Sequence, residues 1–213
     1  MGSPGERKRS RAGEETRDRI LEAALETVRD QGLVGTSARA IARTGEFNQA
    51  LVFYHFGSIG DLLLAALQLA NDRRIERFRD RLETVDSLTG LVAIAADLHA
   101  NRDDCDHPAL TAIVAGWPSN SEVGKRIVEI LRPWDEMIER ALERSLAGTP
   151  FAQVVPTGDL AHALSCLFLG IELMGRLDPD DERTGSLFDS LSGAAELAAP
   201  LLEAVRRAAS PSI

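Results

Sequence analysis

The stretch Gly35–Leu64, GTSARAIARTGEFNQALVFYHFGSIGDLLL, constrains this chain more than any other. It reads as two short helices joined by a tight turn and followed by a capped longer helix. If Asn48 to Phe56 is helical, each residue advances about 100° around the axis, so Val52 and Phe56 share one face and can pack on a core. Ala50, Phe53 and Tyr54 then fall on the opposite face, with Leu51 near it. A short helix with aromatic residues facing outward is built to touch something. A helix in the DNA major groove meets that description, because base edges there offer both hydrogen-bonding groups and thymine methyls.

The whole chain permits this reading. Its 213 residues fit one domain or two and can bury a core without disulfides. Ala and Leu are abundant and β-branched runs are absent, which predicts an all-α fold. The net charge of −9 argues at first against nucleic acid, but its distribution matters more. Residues 1–57 hold nine Lys/Arg against eight Asp/Glu, and the remainder holds 15 against 25. That split fits a DNA-binding head on an acidic body. Cys105 and Cys166 form neither a CxxC nor a disulfide framework, as expected in a reducing compartment. With no run of about 18 apolar residues and no apolar signal region, the expectation is a cytoplasmic protein with no membrane partner.

Residues 1–15 contain the run Glu6-Arg7-Lys8-Arg9-Ser10-Arg11 and read as a flexible basic arm, either a solvated tail or a reach toward DNA phosphates. Thr16–Gln31 reads as the first helix, with Ile20, Ala24 and Val28 on one stripe and Gly32 as its stop. Thr36 or Ser37 can cap the next helix, which runs to Thr44, and Gly45 supplies the turn. Phe47 precedes Asn48, a good N-cap, and can staple the following helix. Gly57 breaks that helix. Ser58 and Asp61 approach a capping box and open a long one.

In order and spacing, the elements Thr16-Arg17-x-Arg19-Ile20-Leu21-x-Ala23-Ala24, Gly32, Thr36-Ser37, Ile41-Ala42, Leu51-Val52-x-Tyr54-His55-Phe56-Gly57-Ser58 and Leu62-Leu63 resemble the N-terminal domain of the tetracycline-repressor (TetR) family of transcriptional regulators. The resemblance covers residues 16–64, under a third of the chain. It implies a helix-turn-helix DNA-binding domain at 16–60 and a helical ligand-binding and dimerisation domain at 61–213. By position it makes Thr36, Ser37 and Arg39, at and on the helix before the turn, and Phe53 of the next helix candidate DNA contacts, with Arg39 able to reach a base edge or phosphate. It sets Asn48 and Gln49 at the start of the recognition helix, Ala50 and Leu51 near bases, and Tyr54 and His55 toward the phosphate backbone. Three residues depart from the family pattern. Phe53 replaces the commoner tyrosine, Ile59 the usual lysine after Gly-Ser, and Glu46 a glycine. The first two each remove a phosphate partner.

Beyond Asp61 the sequence predicts a long connecting helix to about Asp86, whose second half is so charged that it reads as a solvated face. Further helices follow over about 88–102, 109–117, 121–147 with Pro133 kinking or restarting it, 159–177, and 186–207 bent at Pro200. The His99–Pro108 stretch collects His, Asp and Cys, but its spacing fits no zinc or EF-hand pattern, so neither metal nor cofactor is implied. The helix at 159–177 is apolar nearly all round and must be covered on both sides. Pairing with a second copy through Leu160, Leu164, Leu167 and Ile171, and through Leu191, Ala195, Ala198 and Leu202 of the last helix, gives a four-helix bundle across a two-fold axis. The resemblance places the dimer interface at the same end.

An effector pocket is expected among the central helices, with His99, Trp117, Trp134, Met137, Phe168 and Glu172 as candidate ligand contacts and His162 near a helix start. The expectation is therefore a homodimer that binds a pseudo-palindromic double-stranded operator and represses until a small-molecule effector binds. The family also contains activators, so the sign of regulation stays open. The rivals are a helical small-molecule carrier or enzyme without sequence-specific DNA binding, and a constitutive DNA-binding protein. An enzyme is disfavoured because the sequence shows no nucleophile with its base, no metal-ligand spacing and no phosphate loop.

Overall fold

The computed structural model describes residues 4–101, 106–117, 121–178 and 183–209. Among them there is no strand. The helices are α1 (Pro4–Gly35), α2 (Ala38–Thr44), α3 (Ala50–Phe56), α4 (Ile59–Thr84), α5 (Leu88–Ala100), α6 (His107–Gly116), α7 (Ser121–Leu146), a short 3-10 turn (Pro150–Gln153), α8 (Thr157–Leu177) and α9 (Arg183–Ala209). Pro118 and, within the His99–Pro108 stretch, residues 102–105 including Cys105 lie outside the described residues.

The chain divides into two compact units. One comprises residues 1–73 with 103–130, the other 74–102 with 131–213. The linear boundary expected after residue 60 does not coincide with this division. The reason is α6, whose buried Ala109, Leu110, Thr111 and Ile113 join the core of the first unit.

In the first unit α1 starts earlier than expected. Residues 4–15 are helical rather than irregular, with Pro4 opening the helix, where a missing N–H costs nothing. The helical run ends at Gly32, whose φ of 69° only glycine adopts without strain. Ile20, Ala24 and Val28 are fully buried with Ile41 of α2, Val52 of α3, Leu62 and Leu67 of α4 and Ile113 of α6. Besides His107, the buried polar groups here are Thr27, Asn71 and Thr111, each of them neutral and bonded. Thr27 Oγ1 donates to the Ala23 carbonyl at 2.6 Å, with Thr44 Oγ1 3.0 Å away. Asn71 donates to the Ile130 carbonyl at 2.8 Å. Arg73, in the stretch that reads as a solvated face, pairs instead with Glu22 of α1 and with Asp106 at 3.2 Å.

In the second unit Ile75, Phe78 and Leu82 of α4 pack with Ile94 and Leu98 of α5 and Met137 of α7. Arginines close the helix ends. Arg144 donates to the carbonyls of Leu82 and Val85 at the end of α4. Arg206 donates to those of Ser145 and Ala147 at the end of α7, both at 3.0 Å. Each satisfies backbone acceptors that a helix terminus leaves open and adds a cation where the dipole favours one. α7 continues through Pro133 without restarting.

α8 buries Ala161 and Glu172 but exposes Leu160, Leu164, Leu167, Leu173, Met174 and Leu177. Among the described residues it is the one single helix long and apolar enough to cross a membrane. On α9 the expected outward set is partly covered by its own chain. Ala195 is buried within its own unit, and Ala198 and Leu202 are half-buried. The apolar residues left exposed are Leu187, Leu191, Leu197 and Leu201. Phe188 and Ala195, two helical turns apart, share the buried stripe of α9.

Candidate nucleic-acid interface

The turn before α3 is set by backbone chemistry. Ser37 caps α2, its Oγ accepting from the Ala40 N–H at 3.1 Å. Thr36 does not cap; its hydroxyl donates to the Gly32 carbonyl at 2.8 Å. Gly45 is required for room, because a Cβ there would fall 2.3 Å from the Phe47 ring and 2.8 Å from the Ala23 side chain. Glu46, standing where the family pattern has glycine, takes a left-handed φ of 53°, a conformation that strains an L side chain. Asn48 Oδ1 accepts from the Ala50 N–H at 2.9 Å, and the Leu51 N–H bonds the Asn48 carbonyl. Winding therefore begins at Asn48, although regular helix starts at Ala50.

The faces of α3 fall as the periodicity predicts. Val52 is fully buried, while Phe53 is 49% and Tyr54 82% exposed. Asn48, Gln49 and Ala50 are exposed, Leu51, His55 and Phe56 half-buried. The Tyr54 ring stands edge-on to His55, centroids 5.0 Å apart. Arg39 and Arg43 are exposed on α2. Two basic residues that sequence reasoning left without a site role also come close. The guanidinium of Arg17 lies 5.0 Å from the Phe56 ring centre and that of Arg19 5.7 Å from the Phe47 ring centre. Arg17-x-Arg19 belonged to the recognised pattern, but only the packing of α1 brings the pair to the ends of the 47–56 segment. Ile59 is half-buried, and Ser58 Oγ donates to Asp61 at 2.7 Å and accepts from its N–H at 3.0 Å. Hydrogen bonds from Arg126 and Ser58 hold the Asp61 carboxyl below the usual range.

Residues 20–66 match the family model of bacterial regulatory proteins, tetR family. These residues therefore carry a tetR-family domain. No curated protein matches it. Among solved structures it resembles the TetR-family transcriptional regulator of Cytophaga hutchinsonii, at 14% identity and a TM-score of 0.71 over 85% of this chain and 94% of that one. It also resembles FadR of Bacillus subtilis, solved in complex with stearoyl-CoA, at 15% identity and a TM-score of 0.67 over 82% and 95%. A third is NalD, the secondary repressor of the MexAB-OprM multidrug efflux pump in Pseudomonas aeruginosa, at 22% identity and a TM-score of 0.60 over 86% and 95%.

In the second unit, five of the expected effector contacts converge. His99 and Glu172 are buried and bonded, Nδ1 to Oε1 at 2.7 Å, and the His99 ring stacks on Phe188 with centroids 4.9 Å apart. Trp134, Phe168 and buried Met137 belong to the adjoining apolar core. Sequence reasoning missed Arg74. It sits in the charged run of α4, yet its guanidinium lies 5.9 Å from the Trp134 ring centre and 5.8 Å from that of Phe168. Burial pushes it down to about 10, against the attraction of Glu172 and with the repulsion of Arg77. Trp117 does not join this group; it lies in the first unit beside Gly60. His162 also stands apart. Its Nδ1 is 2.8 Å from Asp135 and its Nε2 3.6 Å from Cys166 Sγ, so a thiol beside a base does exist, contrary to the sequence reading. All three are at least partly solvated, and water screens the arrangement. Among the described residues no group of His, Cys, Asp and Glu is arranged to hold a metal.

Proposed function

We propose that this regulator is a homodimeric repressor that holds a pseudo-palindromic operator through α2 and α3 and releases it when a small molecule enters the second unit. The observation that carries the reading is the outward face of α3. A helix with Tyr54 almost fully exposed and Val52 fully buried has been given a surface to use. Arg39, Gln49, Ala50, Leu51 and Phe53 face bases in this reading, and Asn48, Tyr54 and His55 the phosphates, while Thr36 and Ser37 serve the scaffold. Two such helices enter successive major grooves about 34–36 Å apart, or a multiple of that.

The exposed leucines of α8, with Leu187 and Leu191 of α9, support pairing with a second copy. The cluster of Arg74, His99, Glu172, Trp134, Phe168 and Met137 supports an effector site in the same unit, and FadR and its stearoyl-CoA are a precedent for such binding on this fold. The protein works in the cytoplasm, where operator DNA is. The effector selects a conformer with the wrong head spacing, and by linkage the operator weakens effector binding equally.

A salt-titrated binding assay with the chain's own upstream intergenic DNA tests this. Tight, competitor-resistant binding that weakens with salt is the expected result. Tyr54→Ala or Gln49→Ala abolishes that binding and leaves the dimer and melting point nearly unchanged. Unfolding of those variants, or binding without a salt slope, rules the reading out.

A further inference from the structure

The outward face of α3 is unusual in what it lacks. Residues 48–56, NQALVFYHF, contain no Arg, Lys, Asp or Glu. The major-groove code is chemical. Guanine is read chiefly by Arg or Lys on its O6 and N7, and cytosine by a carboxylate accepting from its amino group. Neither reader is on this helix. What α3 presents is Gln49, whose amide matches adenine, and the apolar Ala50, Leu51 and half-exposed Phe53. Asn48 has its carbonyl oxygen engaged by the Ala50 N–H, so its bidentate match to adenine is compromised. Apolar side chains in the major groove have one specific counterpart, the C5 methyl of thymine. The exposed cations Arg39 and Arg43 lie on α2, off the reading helix, so a guanine met by Arg39 flanks the pairs beneath α3.

We propose that this regulator recognises its operator by thymine methyl groups, contacted by Phe53 with Ala50 and Leu51, so that the base pairs beneath α3 are A·T. The proposal rests on the operator reading above and goes further, because it fixes the chemistry of the bases. The missing phenol hydroxyl at Phe53 then exchanges a phosphate contact for a methyl contact. Burying one methyl or methylene group corresponds to about a fourfold gain in affinity. A two-fold site with one such methyl per half-site gains more than tenfold.

The test selects high-affinity duplexes from a random-sequence library with the full-length protein, then resynthesises them with uracil in place of thymine. Uracil keeps the hydrogen-bonding edge and removes only the methyl. The expected result is an A·T-rich core in each half-site and a loss of about fourfold for each uracil placed there, with no loss for uracils in the flanks. Phe53→Ala should bind more weakly and no longer distinguish thymine from uracil at its position, with an unchanged melting point, which separates lost recognition from lost folding. Equal affinity for thymine and uracil duplexes, or a G·C core, overturns the methyl reading alone. No enrichment of any sequence overturns the operator reading with it.

Discussion

The two compact units keep different things in their interiors. The first buries Thr27, Asn71 and Thr111, each bonded to a backbone carbonyl, and a single ionisable side chain among the described residues, His107. The second buries an ionisable pair, His99 and Glu172, beside the desolvated guanidinium of Arg74. Neutral hydrogen bonds fix helices at little desolvation cost. Buried charges are expensive to remove from water and stabilise little compared with an apolar replacement. The cluster of Arg74, His99 and Glu172 is therefore the costlier interior to hold.

Three substitutions probe this contrast, from the largest effect to the smallest. Glu172→Ala leaves His99 and Arg74 without their carboxylate and should lower unfolding stability by about 3–5 kcal/mol, measured by chemical denaturation. Asn71→Ala frees one carbonyl at Ile130 and should cost about 1–3 kcal/mol in the same measurement. If Asn71→Ala proves the more damaging, the contrast between the two interiors fails. Glu46→Gly relieves the left-handed strain before α3 and should stabilise by about 1 kcal/mol, seen as a melting point higher by a few degrees. A lower melting point there would show that the Glu46 side chain contributes more than its backbone loses.

How much was legible in the sequence follows the range of the interactions. The caps at Ser37 and Ser58, the turn at Gly45 and the division of α3 into a buried Val52 and an exposed Tyr54 depend on neighbours a few residues away, and periodicity exposes them. The membership of α6 in the first unit, and the pairing of Arg73 with Glu22 and Asp106, join residues far apart in sequence and leave no local mark. Arg74 is the sharpest case. Nothing in a run of alternating charges distinguishes the arginine that turns toward Trp134 and Phe168 from the ones that meet water or a carboxylate. On α9 the periodicity was present, but small alanines satisfy either a packed or a paired face, and Ala195 falls with Phe188 on the packed one.

The absence of charged side chains from α3 reaches beyond base sequence. A helix that recognises a methyl on the groove floor responds to that methyl whichever pyrimidine carries it. Cytosine methylated at C5 presents the same group at the same place as thymine. A variant operator with 5-methylcytosine in place of a contacted thymine would then keep the methyl contact, while one with unmodified cytosine would lose it.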